Sequence, residues 1–348
     1  MTLSGCFAMA EDTPLDQHFA AQFARSGLVA AGFGVQEGQN PPEIMVGGTL
    51  AKGSDTPVPV DAAWHIGSIT KSFTAALIMM AVSDGVLSLD RPLPELLPDQ
   101  AGRMHPSWHS VNLRQLLSHT AGTRPNPTQR QMRALYSGGL DRDALLTSQL
   151  AEPLPGGQGR FSYSNIGYIL APYIYEVATG TTWEAALRDR IVGPLGLTSF
   201  GIGPPAQIQG HRSILGFGAR PVDPAAQSAD NPAVFTPAGR MHLSIADGLR
   251  WGRFLLDACK GQNDLLSAEA CAEMVAPVTD QYGLGIASFP IAGTAGGAWG
   301  HGGSNTMWYA ILAMLPAEDI VVFAVTSEGR ERKLAQLAEN MMQAVMAR

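Results

Sequence analysis

The sequence predicts an α+β fold. An antiparallel sheet built from both chain ends is flanked by helices, as an α/β sandwich, with a helical region inserted between its halves. Three observations carry this expectation. Strand-like runs occur early, near Leu28–Val35 and Ile44–Thr49, and again late, at Gly283–Phe289, Met307–Leu315 and Ile320–Thr326. The stretch between them, from Ser68 to Pro277, is mostly helical in pattern, with connections rich in Pro and Gly. Strands at both ends with helices between imply that the termini share one sheet, leaving a cleft where the inserted region joins it.

The elements follow in order. A helix is expected from about Leu15 to Arg25, ahead of the two early strands. An apolar helix begins at Ser68, because Phe73, Ala76, Leu77, Met80 and Ala81 form a stripe at three-to-four spacing. Further helices read at Ala144–Ala151, Ile166–Ala178, Trp183–Val192 and Ile245–Ala258. Pro204–Pro232 has many Pro and Gly and little periodicity, so it reads as a long loop at the mouth of the cleft. The chain closes on an amphipathic helix whose buried face carries Leu334, Leu337, Met341 and Val345. Residues 11–348 are expected to form a single catalytic domain, with a sheet part over about 11–66 and 278–348 and a helical part over about 67–277.

Composition narrows the function. The 348 residues are 45% hydrophobic and 15% charged, an ordinary globular balance. The net charge of −7 comes without any basic cluster, which argues against nucleic acid as a partner. The longest apolar runs, Ala75 to Val82 and Met307 to Leu315, are too short to span a bilayer as helices, so no transmembrane segment is expected. Nothing in the sequence signals an oligomeric state. Residues 1–10 read either as the remnant of an export signal or as an accidental match: Leu3-Ser-Gly-Cys6 has the form of a lipoprotein box and Ala8-Met-Ala10 precedes Glu11 like a signal-peptidase site, but neither follows a charged region or an adequate apolar core. Cys259 and Cys271, two of three cysteines, lie near the ends of consecutive helical stretches and are candidates for pairing, which the sequence leaves open. Together these favour a periplasmic or exported location, with the cytoplasm as the alternative.

The chemistry concentrates in three short segments. Ser68-Ile69-Thr70-Lys71 sets a hydroxyl and an amine one helical turn apart. In a first turn, unpaired N–H groups and the positive end of the helix dipole favour developing negative charge. Tyr163-Ser164-Asn165 supplies a phenol and an amide two residues apart, and Trp299-Gly-His-Gly-Gly-Ser-Asn305 a histidine followed by two glycines and a serine. With 22 Ser and four Lys, and seven Tyr and eight Asn, the first two motifs together are expected by chance only about 0.04 times. Each residue also has a plainer reading: Ser68 or Asn165 as a helix cap, Tyr163 as a half-buried aromatic, His301 as part of a tight turn. His105 and His109 have metal-ligand spacing, but Pro106 disfavours a helix at His105 and no Glu lies between, so no metal is expected. Trp299 and Trp308 flank the third segment as acyl-pocket walls or, more commonly for strand aromatics, as core. The Gly-x-Ser-x-Gly elbow of the α/β-hydrolases is absent.

In this order and at these separations the segments resemble those of the class C serine β-lactamases, the D-alanyl-D-alanine peptidases and the family VIII esterases. The flanking runs Leu116-Leu-Ser-His-Thr-Ala-Gly122, Tyr282-Gly-Leu-Gly285 and Pro194-Leu-Gly-Leu197 are similar too. The resemblance implies a β-lactamase/transpeptidase-like fold with the three motifs converging on the cleft, and no cofactor. It implies Ser68 as nucleophile, with Lys71 or Tyr163 as its base. Lys71 would need a lowered pKa, and Tyr163, if not the base, relays the proton to the leaving group. It implies Asn165 orienting Lys71 or substrate, an edge strand at His301, Gly302 and Gly303 against which substrate lies, and an oxyanion hole from the backbone N–H groups of Ser68 and Ser304. The departure is His301, where class C enzymes carry a lysine that attracts the β-lactam carboxylate. The expected activity is therefore serine hydrolysis of a small ester or amide through a Ser68 acyl-enzyme. The alternatives are a β-lactamase or D-alanyl-D-alanine carboxypeptidase, or a non-catalytic binder of cell-wall fragments.

Overall fold

The computed structural model describes residues 13–214, 217–279, 281–291 and 294–348. The lipoprotein-box and signal-peptidase matches within residues 1–10 lie outside the described residues. Helix α1, Pro14–Ser26, opens with a capping box in which Thr13 and Asp16 bond each other's backbone N–H. Among the described residues eleven strands follow: β1 Ala30–Glu37, β2 Glu43–Gly48, β3 Ala63–His65, β4 Gly201–Ile202, β5 His211–Ile214, β6 Phe217–Pro221, β7 Met241–Ser244, β8 Ala287–Phe289, β9 Ala298–Ser304, β10 Tyr309–Leu315 and β11 Ile320–Thr326.

Six of them form one antiparallel sheet in the order β2-β1-β11-β10-β9-β8. The two chain ends meet at its centre, where Ala31 pairs with Thr326 and Val35 with Val322. Every residue of β11 is buried, because both sheet faces are covered. On the outer face Phe33, Val322 and Ala324 pack with Phe19 of α1 and with Leu334, Leu337 and Met341 of the closing helix Glu331–Met346. On the inner face Val321, Phe323 and Val325 join a larger core that continues into the helical region. The helix Ile245–Cys259 lies between the two, its Ile245 and Leu249 in that inner core.

Helix α2, Thr70–Ser83, starts two residues after the expected Ser68, which lies in a 3-10 turn, Gly67–Ile69, and its burial is not confined to a stripe. Every residue from Thr70 to Ala81 is buried. Trp251 of the helix Ile245–Cys259 stacks on Phe73 at 3.7 Å and donates from Nε1 to Ser72 Oγ at 2.9 Å. A helix walled on all sides needs no polar face, and its Thr and Ser hydroxyls bond to neighbouring carbonyls instead.

Several expectations are corrected. The stretch 204–232 is not all loop: β5 and β6 form a hairpin within it. The middle of the chain also holds a three-stranded sheet, β3-β7-β4, whose strands of two to four residues are too short to show a period. The strand expected over Gly283–Phe289 is confined to Ala287–Phe289, since Gly283 and Leu284 turn back to bond Ile286 and Met274. His105 caps the turn Pro106–Trp108 through its Nδ1. Among the described residues no group of three or more His, Cys, Asp or Glu could hold a metal, and no helix is long and apolar enough to cross a membrane.

Cys259 and Cys271 are joined by a disulfide that ties the helix Ile245–Cys259 to the helix Ala268–Val275, with a sequence separation of 12. Closing so short a loop restricts the unfolded chain by about 3 kcal/mol on the chain-entropy view. Replacing both cysteines by alanine should therefore lower the guanidinium midpoint of unfolding measurably. A midpoint unchanged from the parent would show that packing alone holds these helices together.

Candidate active site

Ser68 occupies a 3-10 turn, Gly67–Ile69, that leads directly into α2. The turn lies against the free edge of β9, where β8 has already ended: β8 pairs only with Ala298, Trp299 and Gly300. This close approach requires glycine on both sides. A Cβ on Gly67, which has φ +51°, would stand 2.2 Å from the Ser304 nitrogen. A Cβ on Gly303 would stand 1.9 Å from the Ile66 carbonyl oxygen and 2.7 Å from the Ser68 nitrogen. The backbone nitrogens of Ser68 and Ser304 are thereby brought to the same short stretch of the cleft. Gly302 is the exposed residue of this edge.

Lys71 is completely buried one turn into the helix region. Its Nζ lies 3.0 Å from Ser68 Oγ, 2.8 Å from Asn165 Oδ1 and 2.6 Å from the carbonyl oxygen of Ala238. Burial without an adjacent carboxylate pushes its pKa well below the ordinary lysine value. A neutral amine has two N–H donors and one lone pair. Asn165 Oδ1 and Ala238 O can only accept, so in the neutral form they would take the two hydrogens and leave the lone pair facing the Ser68 hydroxyl.

Tyr163 interacts with Ser68, and Lys71 Nζ lies 4.9 Å from its ring centroid. Burial pushes the phenol well above its usual pKa, and the bond to Ser68 opposes this only in part. The depressed phenol that a tyrosinate base requires is therefore not the state this environment favours. The helix after Tyr163, Asn165–Thr179, is capped by Ser164, whose Oγ accepts from the Gly167 N–H. Asn165 is thus not the cap. It sits at the first helical position, and its amide spans Lys71 Nζ and Asn126 Oδ1.

His301 is buried beneath the edge of β9. Its Nδ1 bonds the Gly302 carbonyl, so Nε2 accepts the Tyr282 hydroxyl at 3.0 Å. Burial, then the Lys71 amine, push its pKa down to about 4, with the Gly302 carbonyl opposing. At neutral pH this position is an uncharged ring. Trp308 is core: it is fully buried and stacks on His65 at 5.6 Å. Trp299 is half-buried and packs against the main core.

Four contributors escaped the sequence reading as site residues. Ala238 acts through a backbone carbonyl, which any residue type supplies. Tyr282 and His119 lie inside runs noted only for their resemblance. His119 adopts φ +61°, accepts the Ser164 N–H at Nδ1, and sets its ring 4.2 Å from that of Tyr163. Phe161, half exposed beside Tyr282, lines a cavity of ≈470 Å³ with Thr279, Gln281, Ala287, Ser288 and Phe289.

Comparison with known proteins gives a consistent placement. The Beta-lactamase family model matches residues 15–346. Penicillin-binding protein 4 of Amycolatopsis lactamdurans is 28% identical over 299 residues, covering 82% of this chain and 77% of the relative. Lovastatin esterase of Penicillium rubens is 26% identical over 212 residues, 56% of this chain and 52% of the esterase. The chain thus spans only about half the length of that second relative. The D-amino acid amidase of Ochrobactrum anthropi SV3, solved with L-phenylalanine amide, superposes with a TM-score of 0.77 at 20% identity over 96% of this chain and 97% of the amidase, and so shares the fold. With its sheet closed by both chain ends and a serine, a buried lysine and a tyrosine gathered at the edge of β9, the chain belongs to the Beta-lactamase family of serine hydrolases.

Proposed function

We propose that this protein hydrolyses small uncharged esters or amides through an acyl-enzyme on Ser68. The observation that carries the reading is the 3.0 Å contact between Ser68 Oγ and the fully buried Lys71 amine, whose pKa burial lowers. As Ser68 Oγ attacks the substrate carbonyl carbon, Lys71 takes the hydroxyl proton. The carbonyl oxygen becomes an oxyanion held by the N–H groups of Ser68 and Ser304. Tyr163, protonated at neutral pH, gives its proton to the leaving oxygen or nitrogen and regains one from Lys71, so the leaving group departs neutral. Water then attacks the ester of Ser68 by the same route in reverse. Asn165 keeps Lys71 aimed, while Gly302 and Gly303 let the substrate lie along β9.

The neutral ring of His301 favours esters and simple amides over substrates that need a cation for their carboxylate. The cavity beside Tyr282 supports the same class, since its described walls carry aromatic, small and uncharged polar side chains. Action on β-lactams or D-alanyl peptides is the second reading, favoured by the similarity to penicillin-binding protein 4. An exported, disulfide-permitting compartment fits the Cys259–Cys271 bridge.

Turnover of p-nitrophenyl butyrate, nitrocefin and a D-alanyl dipeptide ranks the readings. The ester should be the best substrate, and Ser68→Ala should abolish its turnover. Nitrocefin or dipeptide cleavage at higher kcat/KM than the ester would replace the first reading with the second. A parent protein that neither turns over any of the three nor labels with a fluorophosphonate would point to a binder.

The pH profile tests the base. Because burial lowers the Lys71 pKa, kcat/KM should rise with pH through a midpoint well below 10.5 and stay level above it. Lys71→Ala should be nearly as inactive as Ser68→Ala, about 10³-fold or more down, since groups acting as one unit fail together. Substantial activity in Lys71→Ala would remove lysine from the role of base.

A further inference from the structure

Behind the nucleophile turn lies a buried polar network that the mechanism above does not use. Asp230 is 5% exposed and receives five hydrogen-bond donors' worth of attention from four segments. Its Oδ2 lies 3.1 Å from His65 Nε2 and 3.1 Å from Arg240 Nε, and its Oδ1 accepts from Asn305 Nδ2 at 3.0 Å and from the Asn231 N–H at 2.8 Å. The Tyr136 hydroxyl donates to its backbone carbonyl at 3.1 Å. Burial raises the Asp230 pKa, but His65, Asn305 and Arg240 outweigh it and hold the carboxyl below its ordinary value.

Two of these contacts lead straight to the nitrogens flanking the reaction centre. His65, fully buried, accepts the Gly67 N–H at its Nδ1 over 3.1 Å. That bond requires Nδ1 to be free of hydrogen, so the ring proton must sit on Nε2, and the acceptor waiting there is Asp230. Gly67 immediately precedes Ser68. On the other strand Asn305 immediately follows Ser304. Its Nδ2 is held by Asp230 and the Ala229 carbonyl, while its Oδ1 accepts the N–H groups of Met307 and Trp308, each at 3.2 Å, fixing the turn that ends β9.

We propose that Asp230 is a positioning residue for the oxyanion hole, fixing the Nε2–H tautomer of His65 that holds the Gly67 N–H and anchoring Asn305 beside Ser304. It touches no substrate and acts through both neighbours at once. The inference rests on the proposed acyl-enzyme chemistry. Within that chemistry it explains why a carboxylate is buried here: an amide of the same shape cannot serve all these donors. Asn at 230 would set its NH2 against two donors on one side or the other, and of these donors only His65 can withdraw its hydrogen, by moving it to Nδ1. There it meets the Gly67 N–H, donor against donor, and the turn carrying Ser68 must shift.

The test compares parent and Asp230→Asn by long-range 1H–15N NMR of His65 and by steady-state kinetics on p-nitrophenyl butyrate. The expected parent signal is the Nε2–H tautomer. In the variant the ring should change tautomer, kcat should fall about 10- to 100-fold, and KM should stay within about two-fold. The pH midpoint assigned to Lys71 should not move, since Lys71 keeps its own three partners. A parent His65 in the Nδ1–H tautomer overturns the proposal without any variant, so a variant that fails to fold does not shield it. A folded Asp230→Asn with kcat within about three-fold of the parent, or a loss carried by KM with an unchanged His65 tautomer, overturns it as well. Failure of the underlying reading looks different: the parent itself would neither turn over ester nor label at Ser68, whatever the state of His65.

Discussion

A lysine amine shut away from water beside a serine is the constraint around which this molecule is organised. Solvation is what keeps lysine charged, and removing it turns a cation into a base at the cost of placing a polar group in the core. The cost is contained because every site on the amine is matched: two acceptors for two hydrogens, and an alcohol for the lone pair. The acceptors come from chain segments far from Lys71, one on the helix after Tyr163 and one in the stretch before β7. The helix carrying Lys71 is accordingly walled in, and it is buried over its first twelve residues.

The same desolvation sets the character of the surrounding groups. It lowers the amine of Lys71, raises the phenol of Tyr163 and lowers the imidazole of His301, each by disfavouring the charged form. A family member with lysine in place of His301 would present a permanent cation there. Under the proposed function, an imidazole in that dry setting shifts the preference toward uncharged substrates.

Much of this was legible in the sequence, for identifiable reasons. Ser68 and Lys71 declare themselves because helical spacing places them on one face, and Tyr163, Asn165 and His301 because their side chains have distinctive chemistry at short fixed offsets. The sheet shared by both chain ends follows from where the long apolar runs fall. What stayed hidden had no local signature. The Ala238 carbonyl is a backbone group, Asp230 looks like one more polar residue in a Pro- and Gly-rich stretch, and β3, β4 and β7 are shorter than a readable period. The division of labour between Ser164 and Asn165 also needs coordinates, since either side chain can cap a helix and only geometry frees the second to face Lys71.

The pairing of Ala31 with Thr326 at the middle of the sheet joins residues roughly 300 positions apart, a contact order far above that of locally wired folds. During synthesis β1 has no partner on its β11 side until nearly the whole polypeptide has left the ribosome. The edge strand that completes the reaction centre emerges just as late. The sheet and the edge of β9 beside Ser68 are thus completed only in the last step of assembly.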